Sequence, residues 1–418
     1  MIFLYDLGIQ LYILSIRIAS LRNTKAKQWL NGQKNLREKI SGKINPGQQY
    51  IWFHFASLGE FEQGRPVMEQ IKKDYPDEKL FITFFSPSGY EIRKHNSLSG
   101  EAFYLPIDTR KNANALINLI NPKIAVFTKY EYWYHYFKEL NEHNIPLYLI
   151  SASFIKEQSF FRWYGRLNRE MLKFVTHFFV QNNASKLLLK ELGFENSTIT
   201  GDTRFDRVMQ NALHPKTSDI IKDFCGEYKV FIGGSTWPDE EALIARLIPK
   251  YPDWKFILAP HEVSEEKITS LEKILPGKSI RYSKLLKSEA GSQKSEISGS
   301  PYSILIIDNI GMLSSLYQYA DIAYIGGAFG AGLHNVLEAA ALGIPVVFGP
   351  KYQRFPEAKD LIERGAGFSV KDFVGLDNIM SIFQDDSKRT EAGDASKRYV
   401  IENKGATTLI MSHIQTTL

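Results

Sequence analysis

The chain has 418 residues, 44% hydrophobic and 23% charged. That excludes a disordered or fibrous polypeptide and sets an expectation of two or three domains. Cys225 is the single cysteine, so a disulfide scaffold and a cysteine zinc knuckle are excluded and a reducing compartment is expected; the net charge of +5 is too small to indicate a nucleic-acid partner.

The charge is unevenly placed. Residues 1–45 carry eight Lys or Arg against only Asp6 and Glu38. An apolar stretch, MIFLYDLGIQLYILSIRIAS, precedes this basic run. Leu4, Leu7, Leu11, Leu14 and Ile18 recur at spacings of three and four, which predicts a helix with one apolar face. An apolar helix followed by Lys and Arg suits attachment to an anionic membrane surface. No basic segment precedes the apolar run, so a signal peptide is not expected. A buried N-terminal helix is the bland alternative, and spanning versus lying on the bilayer stays open.

From residue 50 short apolar runs alternate with amphipathic ones. Strands are predicted at 50–57, 79–86, 102–107, 123–129, 145–151 and 177–182, with helices at 61–74 and 110–120. The pattern restarts with strands at 228–235, 254–260, 302–308, 321–327 and 345–350. Helices are predicted between them at 237–250, 264–275, 312–319, 334–342 and 354–364. Strands apolar on both faces and alternating with helices predict a parallel, doubly wound α/β sheet. Two Rossmann-like halves are expected, with a seam around 205–225. The expected division is 1–45, 46–210 and 211–418. Residues 287–301, rich in Ser, Gly and Lys, read as a mobile loop.

Open α/β sheets bind ligands beyond the carboxyl ends of their strands. After the first strand come Ser57, Gly59 and Glu60 in a turn that opens a helix. Glu60 reads as a general base or as an acid complementing the helix dipole. After the fourth come Lys129 and Glu131 among aromatics, a second acid or a solvated helix start. In the second half, Gly234-Ser235-Thr236 and Asp308-Asn309-Ile310-Gly311-Met312-Leu313 end strands with small residues. Backbone N–H groups there favour anions. A Gly-rich loop at 326–332 leads to His334 and Asn335, with Glu338 on the same helical side. Such a pair suits a ribose and a base edge, and turn-making glycines are the bland alternative. There is no zinc-hydrolase His spacing, no G-x-S-x-G elbow, no Walker loop and no D-x-D. No metal or other cofactor is expected.

Four motifs together resemble one family. They are A-S-L-G-E after a strand, G-S-T before a helix, D-x-x-G-x-L, and G-G-x-x-x-x-G-x-H-N-x-L-E-x-A-A-L-G-x-P-V-x-F-G-P. They are similar to those of the Kdo (3-deoxy-D-manno-octulosonic acid) transferases of lipopolysaccharide assembly, and the likeness runs almost the whole length. It implies a GT-B architecture, two Rossmann-like domains facing a cleft, with an N-terminal membrane-associating helix. The acceptor domain would be 46–210 and the CMP-sugar donor domain 211–418. It implies an inverting transfer of Kdo from CMP-Kdo to a lipid A precursor of lipid IVA type. The enzyme would sit on the inner membrane with its domains on the cytoplasmic side.

Carried over by motif, Glu60 is the general base, and Glu131 a second acid near the reaction. Arg204 stands where Lys is usual and keeps the charge. Ser57, Gly59 and Lys129 fall to the acceptor. Ser235, Thr236, His261, Glu262, Gly311, Met312, Leu313, Asn335 and Glu338 fall to CMP. There are departures. His261 stands where many relatives have Arg, Met312 where an acid is common, and Ser153 where many have Arg. Another GT-B glycosyltransferase, a non-hydrolysing sugar-nucleotide epimerase and an inactive membrane scaffold are the competing readings.

Overall fold

The computed structural model describes residues 2–290, 302–330 and 332–418. It contains two compact units: residues up to Arg207 together with Lys404–Leu418, and Val208–Asn403.

The first unit holds eight strands: β1 (Tyr50–Phe55), β2 (Lys79–Phe84), β3 (His95–Asn96), β4 (Gly100–Tyr104), β5 (Pro122–Thr128), β6 (Leu147–Ala152), β7 (His177–Val180) and β8 (Ser197–Ile199). Their order is β3-β4-β2-β1-β5-β6-β7-β8, parallel except for the β3–β4 pair. Every residue of β1 is buried, because helices cover both faces of the sheet. That is why the run reads as continuously apolar rather than alternating. From β1 the chain winds outward to β2 and β4, then restarts at β5 on β1's other side. The topological switch point therefore lies between β1 and β5.

The second unit holds β9 (Lys229–Thr236), β10 (Trp254–Pro260), β11 (Ser279–Arg281), β12 (Ile304–Ile306), β13 (Ile322–Ile325), β14 (Val346–Phe348) and β15 (Gly367–Ser369). All pair in parallel, in the order β11-β12-β10-β9-β13-β14-β15, and the switch point lies between β9 and β13.

The chain is thus a two-sheet α/β protein, and four expectations need correction. The helix expected over 334–342 is only Leu337–Ala341. The His334 N–H bonds back to the Gly326 carbonyl, so the chain before Val336 is pinned to the sheet end and not to a helical turn. The helix expected over 312–319 is one turn, Leu313–Leu316, continued by a tighter 3-10 turn. The second domain does not run to 418. Helix Ala406–Ile414 buries Ile410, Met411 and Ile414 among Phe53, Phe55 and Val67 of the first unit. Asp206 holds its start, accepting the N–H groups of Gly405 and Thr407 at 2.5 and 2.7 Å. Of the loop expected over 287–301, the start continues helix Tyr282–Ala290; residues 291–301 lie outside the described residues.

Helix Ile2–Ala19 is long and apolar enough to cross a membrane, by length and composition. The predicted face of Leu4, Leu7, Leu11, Leu14 and Ile18 is exposed. The opposite side docks onto the first unit. There Tyr5 donates to Asp108 at 2.5 Å, Asp6 meets His135 at 2.6 Å, and Tyr12 stacks on Phe85.

Candidate functional site

At the first switch point two carboxylates follow adjacent parallel strands. Ser57 caps helix Leu58–Asp74: its Oγ accepts the Gly59 N–H at 3.3 Å and donates to Glu60 Oε2 at 2.5 Å. Glu60 therefore sits half-buried in the first helical turn, at the positive end of the helix dipole. Beyond β5, Lys129 takes a left-handed conformation (φ 58°) that turns the chain sharply, and Glu131 follows.

Glu131 is held by a buried relay that the sequence did not reveal. Trp52 Nε1 donates to Thr83 Oγ1 at 2.8 Å, and Thr83 Oγ1 lies 2.9 Å from His54 Nδ1. His54 Nε2 lies 3.2 Å from Glu131 Oε2, which also accepts the Trp133 indole N–H at 2.8 Å. A carboxylate only accepts, so His54 Nε2 is the donor in its bond to Glu131. His54 is fully buried on β1, Thr83 lies across from it on β2, and Glu131 follows β5. The imidazole thus bridges the switch point and presents Glu131 as an acceptor with one oxygen anchored twice.

Arg204 is positioned by Asp202, which is buried. Asp202 accepts Arg204 Nε at 2.8 Å, Gln63 Nε2 at 3.0 Å and Gln181 Nε2 at 2.9 Å. Burial works to raise the Asp202 carboxyl, but Arg204, its N–H, Lys129 and Gln63 together hold it below the usual range. Gln63 lies on the Glu60 helix, so one carboxylate ties that helix to Arg204.

The second unit gathers its candidates around β9 and β13. Gly234 matters because a Cβ there would lie 2.0 Å from the Tyr317 hydroxyl and 2.9 Å from Leu313. The missing side chain lets the Gly311-Met312-Leu313 segment pack against the strand end. Burial first and the Glu338 charge second push the Tyr317 hydroxyl up. Asn335 Nδ2 donates to Glu338 Oε1 at 3.2 Å, so the pair shares a face as the spacing predicts. Ser235 is left-handed (φ 52°), whereas Thr236 is buried and donates its hydroxyl to Glu241 at 3.2 Å. Glu262 instead meets Lys267 at 3.6 Å on the surface.

His261 stacks over a side-by-side pair, with its ring centroid 4.7 Å from Trp237 and 4.5 Å from His334. Trp237 Nε1 donates to His334 Nε2 at 3.3 Å, so His334 carries its proton on Nδ1. Burial, then His261, lowers His334 to about 4, and it is neutral at physiological pH.

The Gly-rich loop spends one of its amides internally. Glu240, fully buried, accepts the Gly327 N–H at 2.8 and 3.0 Å and the Trp237 N–H at 2.9 Å. The Gly327 amide is therefore committed to an internal carboxylate. Glu240, His54 and Asp202 all escaped the sequence reading. The only available signal was an acid or imidazole inside an otherwise apolar strand or helix start. Among the described residues no group of three or more His, Cys, Asp or Glu is placed to hold a metal ion.

The family model for 3-deoxy-D-manno-octulosonic-acid transferase (kdotransferase) matches residues 32–207. A 3-deoxy-D-manno-octulosonic acid transferase of Haemophilus influenzae is 26% identical over 377 residues, covering 86% of this chain and 85% of its own length. The first unit is thus similar to the Kdo transferase family model, and most of the chain is similar to Kdo transferases at lower identity. A bifunctional glycosyltransferase/methyltransferase of Fusobacterium nucleatum is 27% identical over 83% of this chain, which spans about half (54%) of that relative's length. Among solved structures, the UDP-GlcNAc 2-epimerase of Neisseria meningitidis bound to UDP-GlcNAc aligns with a TM-score of 0.62. It has 15% identity, over 88% of this chain and 100% of its own. That likeness is one of fold: the two-sheet architecture of GT-B glycosyltransferases and such epimerases. The family's match to the first unit runs from the basic segment through Glu60 and Glu131 to Arg204.

Proposed function

We propose that this protein is an inverting glycosyltransferase that moves Kdo from CMP-Kdo to a lipid A precursor of lipid IVA type. The likeness to Kdo transferases supports the sugar. The observation that carries the mechanism is the placement of Glu60, half-buried in a helix's first turn beside a switch point, next to the strand that leads to Glu131. Glu60 takes the proton from the acceptor hydroxyl. The oxygen attacks the anomeric carbon of Kdo, the bond to the CMP phosphate breaks, and the electron pair leaves with CMP. One displacement inverts the centre. Arg204, aimed by Asp202, offsets developing negative charge, and Glu131 accepts a second hydrogen bond from the sugars.

In this reading Ser57, Gly59 and Lys129 meet the acceptor. Ser235, Gly311, Met312, Leu313, Asn335 and Glu338 hold CMP, with Thr236 contributing backbone and His261 standing in for the missing Arg. Glu262 lies at the rim. The two units are then Rossmann-like acceptor and donor domains. The exposed apolar helix face and the basic run behind it support residence on the cytoplasmic side of the inner membrane, where a phosphorylated lipid acceptor is found. The fold shared with an epimerase supports no second reading.

The test is transfer of labelled Kdo to lipid IVA in detergent, with a CMP-Kdo generating system. Wild type transfers, and Glu60→Gln loses about a hundredfold or more. A Glu60→Gln variant within tenfold of wild type refutes the base assignment. An inert wild type that still binds CMP refutes the acceptor or the reaction itself.

A further inference from the structure

The loop that follows β6 exposes three large apolar side chains close together in sequence. Trp163 is 91% exposed, Tyr164 60% and Ile155 53%. These side chains are displayed on a built turn. Phe160 packs at 4.8 Å on Tyr132 and 5.8 Å on Phe154. Arg169 donates to the carbonyls of Phe160 and Arg162 at 2.8 and 2.9 Å. Gly165 closes the turn so tightly that a Cβ would lie 1.7 Å from the Ser159 carbonyl oxygen. The same segment is basic: residues 155–173 hold five Lys or Arg against Glu157 and Glu170.

The loop leaves the carboxyl edge of the sheet, and so do the groups that hold helix Ile2–Ala19: Phe85 after β2, Asp108 after β4 and His135 after β5. Tyr5 of that helix packs at 5.7 Å on Tyr134, and Tyr132, two residues earlier, packs on the loop's Phe160. Helix and loop are therefore both carried by the carboxyl edge of this sheet.

We propose that the loop around Trp163 is a second membrane contact, seated at the headgroup level of an anionic bilayer, and that helix Ile2–Ala19 lies in the membrane plane beside it. Trp and Tyr favour the interface because an apolar ring and a polar tip are satisfied together there, and the flanking Arg and Lys meet lipid phosphates. A spanning helix carries its side chains through about 30 Å of hydrocarbon. This helix has one side fastened to folded protein by Asp6–His135 and Tyr5–Asp108, and spanning would draw those groups into hydrocarbon. The inference rests on the membrane residence proposed above, but its test is independent of Kdo transfer.

The test is flotation of the full chain with vesicles containing phosphatidylglycerol or made of phosphatidylcholine alone. The double variant Trp163→Ala/Tyr164→Ala removes exposed rings and leaves the fold intact, as CMP binding and circular dichroism check. Its partitioning onto phosphatidylglycerol vesicles falls about tenfold, and Arg162→Gln/Arg166→Gln falls by a similar factor on those vesicles only. Aromatic-variant partitioning within twofold of wild type overturns the loop contact. Equal loss by the arginine variant on neutral vesicles overturns the anionic partner. For the helix, Phe3→Cys and Arg22→Cys are labelled in spheroplasts with an impermeant maleimide; Cys225 is buried and its thiol is pushed up to about 12, so the background is low. Both sites react only after lysis, and labelling at Phe3→Cys beforehand overturns the in-plane placement.

Discussion

Glu241→Gln should remove a pH dependence that the second unit carries in its interior. Glu241 is 7% exposed on helix Pro238–Leu247, directly after Glu240. Burial pushes its carboxyl from 4.5 up to about 7; the Thr236 hydroxyl opposes this, the Glu240 charge adds to it, and Lys267 opposes it. The folded state thus holds a proton that the unfolded chain gives up earlier. Below about 4.5 both states are protonated and the group's contribution is complete. As pH rises from about 4.5 to about 7 the unfolded chain ionises first, and stability falls. At about 1.4 kcal/mol per unit, the loss approaches ~3 kcal/mol by pH 8. Glutamine keeps the shape and accepts the Thr236 hydroxyl, but does not ionise. Urea denaturation of both proteins from pH 4.5 to 8 is the assay. The variant should match wild type at the acid end and exceed it by up to ~3 kcal/mol at the alkaline end. Parallel curves over the whole range would show that Glu241 is ionised as easily folded as unfolded, and the burial argument would fail.

His54→Ala takes one of two N–H donors from Glu131 and should lower the transfer rate about tenfold with CMP affinity unchanged, while His54→Gln restores part of it. Equal activity of wild type and His54→Ala would remove the relay from the mechanism. Glu240→Ala leaves the Gly327 and Trp237 N–H groups buried without their acceptor, at about 1–3 kcal/mol each by denaturation. A loss under about 1 kcal/mol in total would mean that the loop re-pairs. Asp202→Asn should cost about 3 kcal/mol at pH 7, because Arg204, Gln63 and Gln181 lose a charged acceptor. The Asp202 carboxyl is held low, so its contribution is present above the unfolded value near 3.9 and is lost as pH falls through the folded one. The gap between variant and wild type should close in acid, and a gap that persists there argues for a packing effect.

Much of this protein is written locally. Strands buried on both faces read as unbroken apolar runs, and helices show the spacing of three and four that carries Leu4, Leu7, Leu11, Leu14 and Ile18 to one side. The same short range put Glu60 in the turn after β1 and Asn335 beside Glu338, so the strand ends that carry these residues were legible. Other features depended on which strand lies beside which, and no local period encodes that order. His54 meets Glu131 across 77 positions, Glu240 meets Gly327 across 87, and Gln63 meets Asp202 across 139. Each pairing exists because adjacent strands or their flanking loops bring two distant carboxyl ends together, and each buried polar group had to find its partner there. The committed Gly327 amide, the return of helix Ala406–Ile414 to the first unit and the docking of Tyr5 and Asp6 have the same origin. Periodicity is set by a residue's near neighbours and is visible in one dimension. Partnership is set by sheet order and by the cost of leaving a buried polar group unpaired, and only the folded chain decides it.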